Sequence, residues 1–247
     1  MAALVTGGTK GIGAAVARRF AADGHAVVVN YAHDADAAEA TVAALRELGG
    51  EVSAVRADVG TGAGAQELAD ACRQLDDVGP WHVVHAAVRA ERTRASDLDA
   101  ATLDAAVATN ALALPVLVGA LRPLLRAGST LTLLSSDGPR AVVDGYAAVA
   151  ASKAVGETLV RYLAAELAGD GVRCNTVVSG PVLTDALRSV WPDADAHFAK
   201  LAARNPSGRA VTGDDVASLC AFLASPDAAM VTGQLVTVDG GAGLRAR

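Results

Sequence analysis

Aromatic residues are scarce in this chain: Phe, Trp and Tyr make up 3% of 247 residues, although 52% are hydrophobic. A core built almost without rings must be built from Ala, Val and Leu, the composition of a buried parallel sheet under Ala-rich helices. Cysteine is rarer still. Cys72, Cys174 and Cys220 are odd in number, widely spaced and form no CxxC pair. That excludes a disulfide framework and a cysteine-based metal site, and fits free thiols in a reducing cytoplasm. Basic charge is not in excess. The net charge is −6 and no basic stripe is present, which argues against a nucleic-acid partner. The most apolar stretch, "ALALPVLVGAL", is interrupted by Pro115 and reads as too short to cross a bilayer, so no membrane partner is expected. The N-terminal "MAALVTGG" runs straight into a strand and leaves no room for a signal peptide.

What is present is alternation. Apolar runs at 2–6, 25–31, 51–57, 81–87, 129–135, 172–178 and 234–239 read as strands. Amphipathic stretches near 11–23, 35–48, 63–75, 98–126, 144–169 and 213–224 separate them. Strand–helix alternation predicts right-handed βαβ units. The expected fold is α/β: a Rossmann-like, doubly wound parallel sheet of about seven strands with helices on both faces. Seven strands in one sheet use up the length, so residues 1–247 are expected to form a single domain. Residues 183–207, between the sixth and seventh strands, break the rhythm and carry two prolines. An insertion there reads as a substrate lid, against the plainer reading of a helix pair that only packs.

"VTGGTKGIGAAVARRF" joins the first strand to the first helix, with Gly7, Gly11 and Gly13 in GxxxGxG spacing. Glycine is needed where the backbone bends to positive φ and where it approaches a pyrophosphate, and the helix that follows offers free N–H groups to the anion. The second strand ends with Asn30 and Tyr31 rather than the acid that would bind an adenosine ribose diol. Lys10 adds positive charge beside the same ribose. Both features favour a 2′-phosphate, hence NADPH; Asp34 is the dissenting residue.

At these residues the sequence resembles the short-chain dehydrogenase/reductase superfamily over nearly its whole length. The likeness rests on "TGGTKGIG" (6–13), "ADV" (57–59), Asn110 in "TNALA", "LLSS" (133–136), Lys153 in "ASKA", "CNTVVSG" (174–180) with Thr184, and "TGQLVTVDGG" (232–241). The resemblance implies a cofactor lying along Gly7, Thr9, Lys10, Gly11, Ile12, Gly13 and Tyr31, with Asp58 and Val59 at the adenine. It also implies Ala86 and Ala87 beside the nicotinamide, Lys153 on its ribose, and Val182 and Thr184 at the carboxamide or phosphates. Asn110 would anchor a water relay behind the lysine. The resemblance further implies a homo-oligomer of four subunits, with the helices over 98–126 and 144–169 and the C-terminal "QLVTVDGGAGL" as its interfaces, and no metal.

Three departures matter: "HAAV" (85–88) replaces Asn-Asn-Ala-Gly, "SG" (179–180) replaces Pro-Gly, and Val149 stands where a tyrosine four before the lysine is usual. The nearest tyrosine, Tyr146, lies seven before Lys153. The last two features, with "VVSGPVLTDAL" and "NPSGR", resemble the NADPH-using enoyl-acyl-carrier-protein reductases of type III, with Tyr-x6-Lys. Geometry gives an independent reason for the shift. Residues seven apart on a helix lie within ~20° of one face and ~10 Å apart along the axis, against ~6 Å for a four-residue spacing. A donor moved outward by roughly 4.5 Å suits charge developing on the carbonyl oxygen of an unsaturated thioester, several bonds from the carbon that accepts hydride. The plainer reading is that Tyr146 only opens the helix, near an N-cap at Asp144.

Catalysis is therefore expected of Tyr146 and Lys153, with Ser136 and Asn110 assisting. His85, at the end of the fourth strand, reads first as a hydrogen-bonded structural residue. Arg89, Arg92 and Arg94 either receive the phosphate of a carrier-bound substrate or an acidic acyl carrier protein, or form a solvated loop. Three functions stay open: an NADPH-dependent enoyl-thioester or enone reductase of fatty acid or polyketide biosynthesis, a carbonyl reductase for a polyketide or other bulky ketone, and a catalytically silent NADP(H)-binding module.

Overall fold

The computed structural model describes residues 1–75, 79–191 and 193–244. Pro192, one of the two prolines of the expected lid, lies outside them, as do 76–78 and 245–247 of the expected 1–247 domain. The described residues form a seven-stranded, fully parallel sheet in the order β3-β2-β1-β4-β5-β6-β7. The strands are β1 (Ala2–Thr6), β2 (Ala26–Tyr31), β3 (Val52–Arg56), β4 (Trp81–His85), β5 (Thr130–Ser136), β6 (Arg173–Ser179) and β7 (Leu235–Val238). Short, Val-rich central strands are buried on both faces; every residue of β1 and β4 is buried. The chain starts in mid-sheet, steps out to β3, returns to β4 and then steps out to β7. The reversal between β1 and β4 opens a crevice at the strand C-terminal ends.

Helices cover both faces, as alternation predicts. On one side α3 (Gly62–Arg73), α5 (Ala113–Leu121) and α6 (Ala147–Leu167) bury Leu68, Leu114, Leu117 and Val160 against Leu4, Val83 and Leu131. On the other, α1 (Gly11–Ala22) and α9 (Gly213–Ala224) bury Val16, Phe20, Val216 and Leu223 against Val5, Val29 and Val177. The helix α2 (Ala35–Arg46) lies over the outer strands on that side, adding Val42 and Leu45. The three cysteines are buried and free, and burial pushes each thiol up to about 12, so none is a nucleophile.

Three sequence expectations change. The helix expected over 98–126 is α4 (Ala100–Val107), a π turn (Ala108–Leu112) and α5, and it stops before Pro123, which cannot continue the ladder. Pro115 does not break this run: it falls in the first turn of α5, just after the π turn. The apolar segment is therefore longer than it reads: by length and composition Ala100–Leu121 could cross a membrane, although Leu114, Leu117 and Leu121 sit in the core. The helix expected from 144 begins at Ala147, and its N-cap is Tyr146 rather than Asp144, whose carboxylate pairs instead with Arg92 at 2.5 Å. Residues 183–207 carry two short helices, α7 (Asp185–Val190) and α8 (Ala194–Arg204).

Candidate active site

The glycine loop folds over the C-terminal end of β1. Gly7 has φ +60°, and a Cβ there would lie 2.8 Å from the Ala87 Cα; a Cβ on Gly13 would lie 2.1 Å from the Gly7 carbonyl oxygen. Only glycine allows both the bend and the close approach. Asn30 braces the loop: its backbone carbonyl accepts from Gly8 N at 3.0 Å, its Oδ1 accepts from Gly7 N at 3.3 Å, and its Nδ2 donates to Ala57 O at 2.9 Å. The following helix is left open. Side chains of Asp34, Thr61, Asp99 and Thr212 cap α2, α3, α4 and α9, whereas Lys10 at the N-cap of α1 makes no side-chain cap bond. The first-turn N–H groups of α1 thus remain available to an anion. A loop that admits no side chain, above an uncapped helix, fits a dinucleotide pyrophosphate.

The other expected contacts divide. Ala86 and Ala87 abut Gly7, and the Thr184 Cγ2 would be 3.0 Å from a Cβ on Gly11, so the start of α7 stands against the loop. Thr184 also caps α7, and Val182 packs beside the core on the same side. Thr9 is buried and its carbonyl accepts from Thr41 Oγ1; Ile12 is half-buried beside the α1 core. Asp58 is exposed at the end of β3, where its carboxylate accepts from Gly60 N at 2.9 Å, while Val59 is buried in the core. Tyr31 borders a separate cavity of about 330 Å³ against α2, with Glu39 and Arg46. Lys10 forms an ion pair with Asp34, whose other oxygen caps α2 through Ala37 N. That pair raises the lysine and lowers the carboxylate, the hydrogen bond being the largest cause of each.

At the crevice the ends of β1, β4, β5 and β6 meet. His85 is fully buried and held from both sides: Nδ1 lies 2.8 Å from Thr6 Oγ1 and Nε2 2.9 Å from Thr109 O. The carbonyl can only accept, so Nε2 carries the proton and Nδ1 accepts from the threonine. Burial, aided by the charge of Lys153, pulls His85 down to about 3. It is a neutral peg between two strands and the π turn, and the structural reading holds.

Lys153 is 5% exposed, and its Nζ donates to Leu134 O at 2.7 Å. Its two remaining N–H bonds have no protein partner among the described residues, which fits a ribose diol above it. Burial lowers Lys153 to about 8, opposed by the negative charge of Glu157. Asn110, within the π turn, spends its amide on protein: Oδ1 accepts from Arg89 N at 2.7 Å, and Nδ2 donates to Arg89 O at 3.0 Å and Ser152 Oγ at 2.9 Å. It locks the strap after β4 to α6.

Tyr146 lies in the wall of an open cavity of about 470 Å³, with Thr93, Arg94, Gly138, Arg140 and Asp144. Its backbone is bridged to Thr93: Thr93 N donates to Gly145 O at 2.8 Å and Ala147 N to Thr93 O at 3.2 Å. Burial raises the phenol, while Ser136 nearby acts the other way. The Ser136 Oγ is itself buried without a protein partner among the described residues, so the two hydroxyls are neighbours short of a formed bond. Val149, at the nearer turn, is fully buried and apolar. Arg92 is already engaged, by Asp144 and by Val190 O at 3.1 Å; Arg89 and Arg94 are exposed. Sequence reading passes over Glu157 and Arg140, which pair beneath Lys153; the one hint is a carboxylate on the buried face of an apolar helix.

A family model described as "Enoyl-(Acyl carrier protein) reductase" matches residues 7–243. The chain is 35% identical over 249 residues to a 1-cyclohexenylcarbonyl-CoA reductase of Streptomyces collinus, covering 96% of this chain and 85% of that protein. It is also 35% identical over 249 residues to a 3beta-hydroxysteroid dehydrogenase 1 of Eggerthella lenta, covering 96% and 92%. Among solved structures it is similar to a short chain dehydrogenase from Burkholderia cenocepacia J2315 in complex with NADP, with TM-score 0.85 and 32% identity over 98% of this chain and 97% of that one. With the parallel sheet, the glycine loop and the lysine at the crevice already in place, these likenesses establish that the chain belongs to the short-chain dehydrogenase/reductase superfamily.

Proposed function

We propose that the protein reduces the carbon–carbon double bond of an α,β-unsaturated acyl thioester or related enone. It is an NADPH-dependent oxidoreductase. The observation that carries it is the placing of Tyr146 in the cavity wall at the N-cap of α6, seven residues before Lys153, with an apolar Val149 at the nearer turn. NADPH, when bound, would supply hydride. Gly7, Gly11, Gly13 and the open end of α1 would hold its pyrophosphate, Lys10 its 2′-phosphate, and Lys153 its ribose. Lys153 also keeps positive charge in the site. The Tyr146 hydroxyl, its phenol kept protonated by burial, donates to the oxygen on which enolate charge develops, with Ser136 beside it. Asn110 fixes the strap that faces Tyr146. Residues 183–207, with α7 and α8, would serve as the substrate lid of a single catalytic domain. The enoyl-reductase family model and the cyclohexenylcarbonyl-CoA reductase likeness support this reading. Fatty acid or polyketide biosynthesis in the cytoplasm, with coenzyme A or an acyl carrier protein bearing the substrate, is the setting it fits.

A carbonyl reductase is the second reading, favoured by likeness to alcohol-oxidising relatives such as the steroid dehydrogenase. NADPH oxidation with a matched pair, an enoyl thioester and a β-ketoacyl thioester of the same chain length, separates the two. Turnover of the enoyl member is expected; turnover of the keto member alone overturns the first reading.

A further inference from the structure

Glu157 is a buried carboxylate that the chemistry above does not use. It follows Lys153 by four residues on α6, so the two side chains leave one face of the helix about 40° apart, and both residues are 5% exposed. A carboxylate in such a place is costly unless its oxygens are engaged. Here both are: Oε1 accepts from Ser135 Oγ at 2.5 Å and Oε2 from Arg140 Nη1 at 2.8 Å. The other arm of Arg140 donates to Ser136 O at 2.6 Å. Arg140 also closes a tight turn, its N–H and that of Ala141 both donating to Asp137 O. One guanidinium thus fastens the turn 137–141 to the end of β5 and to α6. The Tyr146 ring lies on that turn: a Cβ on Gly138 would be 2.9 Å from the ring Cδ1 and 3.0 Å from Cε1.

We infer that Glu157, acting through Arg140, is a positioning residue for the reaction: the pair fixes the floor under the Tyr146 ring and keeps a negative charge one helical turn from Lys153. The inference rests on the reading of Tyr146 as donor. A floor that shifts moves the hydroxyl, and misplacement of about 1 Å costs up to ~10²-fold in rate. The charge acts separately. Around Lys153, α6 contributes Glu157 and β4 contributes His85, which is neutral; the loop after β5 contributes Arg140, which faces Glu157, and Asp137, which faces Arg140 and Asp239. Glu157 is therefore the anion that favours the charged lysine, and without it Lys153 gives up its proton at lower pH.

The test compares Glu157→Gln, Arg140→Met and the double variant with the parent chain. Arg140 has a side chain 40% exposed, so its truncation stays available if the buried Gln is not tolerated. Amide hydrogen exchange of 137–146, without cofactor or substrate, is expected to speed up by about tenfold in each variant. With whichever matched thioester the parent turns over, kcat is expected to fall ~10–10²-fold. KM for NADPH should stay within about twofold. The double variant should be no worse than the worse single one, as for two members of one unit. The alkaline limb of kcat should move to lower pH in Glu157→Gln and not in Arg140→Met. Unchanged exchange in both single variants, or an alkaline limb that stays put in Glu157→Gln, overturns the inference. A parent that reduces only the keto thioester sinks the enoyl reading, and exchange and pH limb still judge the pair on their own.

Discussion

Tyr146→Phe deletes one hydroxyl and leaves the ring on Gly138. Tyr146 lines the cavity wall, and the proposed function gives its hydroxyl to the substrate rather than the cofactor, so its loss should fall on turnover: a drop of ~10²–10³ in kcat for the enoyl thioester, as for removal of one oxyanion donor. NADPH affinity, read by fluorescence titration, should hardly change. Full retained activity would move the proton's source to Ser136 or water. Lys153→Ala should damage both quantities, because the lysine's two unengaged N–H bonds and its charge serve cofactor and reaction alike. His85 is excluded from the proton's path by geometry: each ring nitrogen already has a protein partner, and its low pKa keeps it neutral.

At the scale of elements, the glycine loop and α2 meet through one ion pair. Asp34 serves two masters, capping α2 with one oxygen and holding Lys10 with the other. Asn caps a helix about as well as Asp, so Asp34→Asn should keep α2 while freeing the lysine for a 2′-phosphate. NADPH should then bind a few-fold tighter and NADH about as before; equal changes for both would show that the pair has no part in cofactor choice. The fold was legible because apolar runs of five to seven residues, each bounded by a helix-period stretch, leave little but a parallel sheet. The glycine loop was legible for the same reason, since its spacing falls between such elements. The N-cap of α6 was not: Asp144 is the better capping residue in sequence, but Arg92, which comes from the strap after β4, takes its carboxylate. Nor was the pairing of Glu157. A carboxylate four residues after a lysine reads as a surface pair, and only the path of the loop after β5 brings Arg140 to it.

Considered whole, the molecule exposes Leu112, Val116, Val155 and Tyr162 on the helices that the family resemblance assigns to subunit contacts. Light scattering should report a homo-oligomer, with four copies as the expected number; a stable monomer would remove that expectation. Acid should weaken the fold through two buried histidines. Burial is the largest cause that depresses His82 to about 4 and His85 to about 3, whereas both stand near 6.5 in the unfolded chain. The unfolded state therefore binds more protons below pH 6.5. The contribution is complete above that value and shrinks as pH falls toward the folded values, by about 2 kcal/mol for each histidine at pH 5. Urea midpoints at pH 7 and pH 5 should differ accordingly, and His85→Gln should shrink the difference. Both histidines belong to β4, the middle strand of the seven, one near each end. Both rings are buried in the folded chain and meet water only when it opens. Acid thus acts as a ratchet rather than a wedge: the rate of opening should hardly respond to pH between 6.5 and 5, while the opened chain, once it has taken up its two protons, closes ever more slowly.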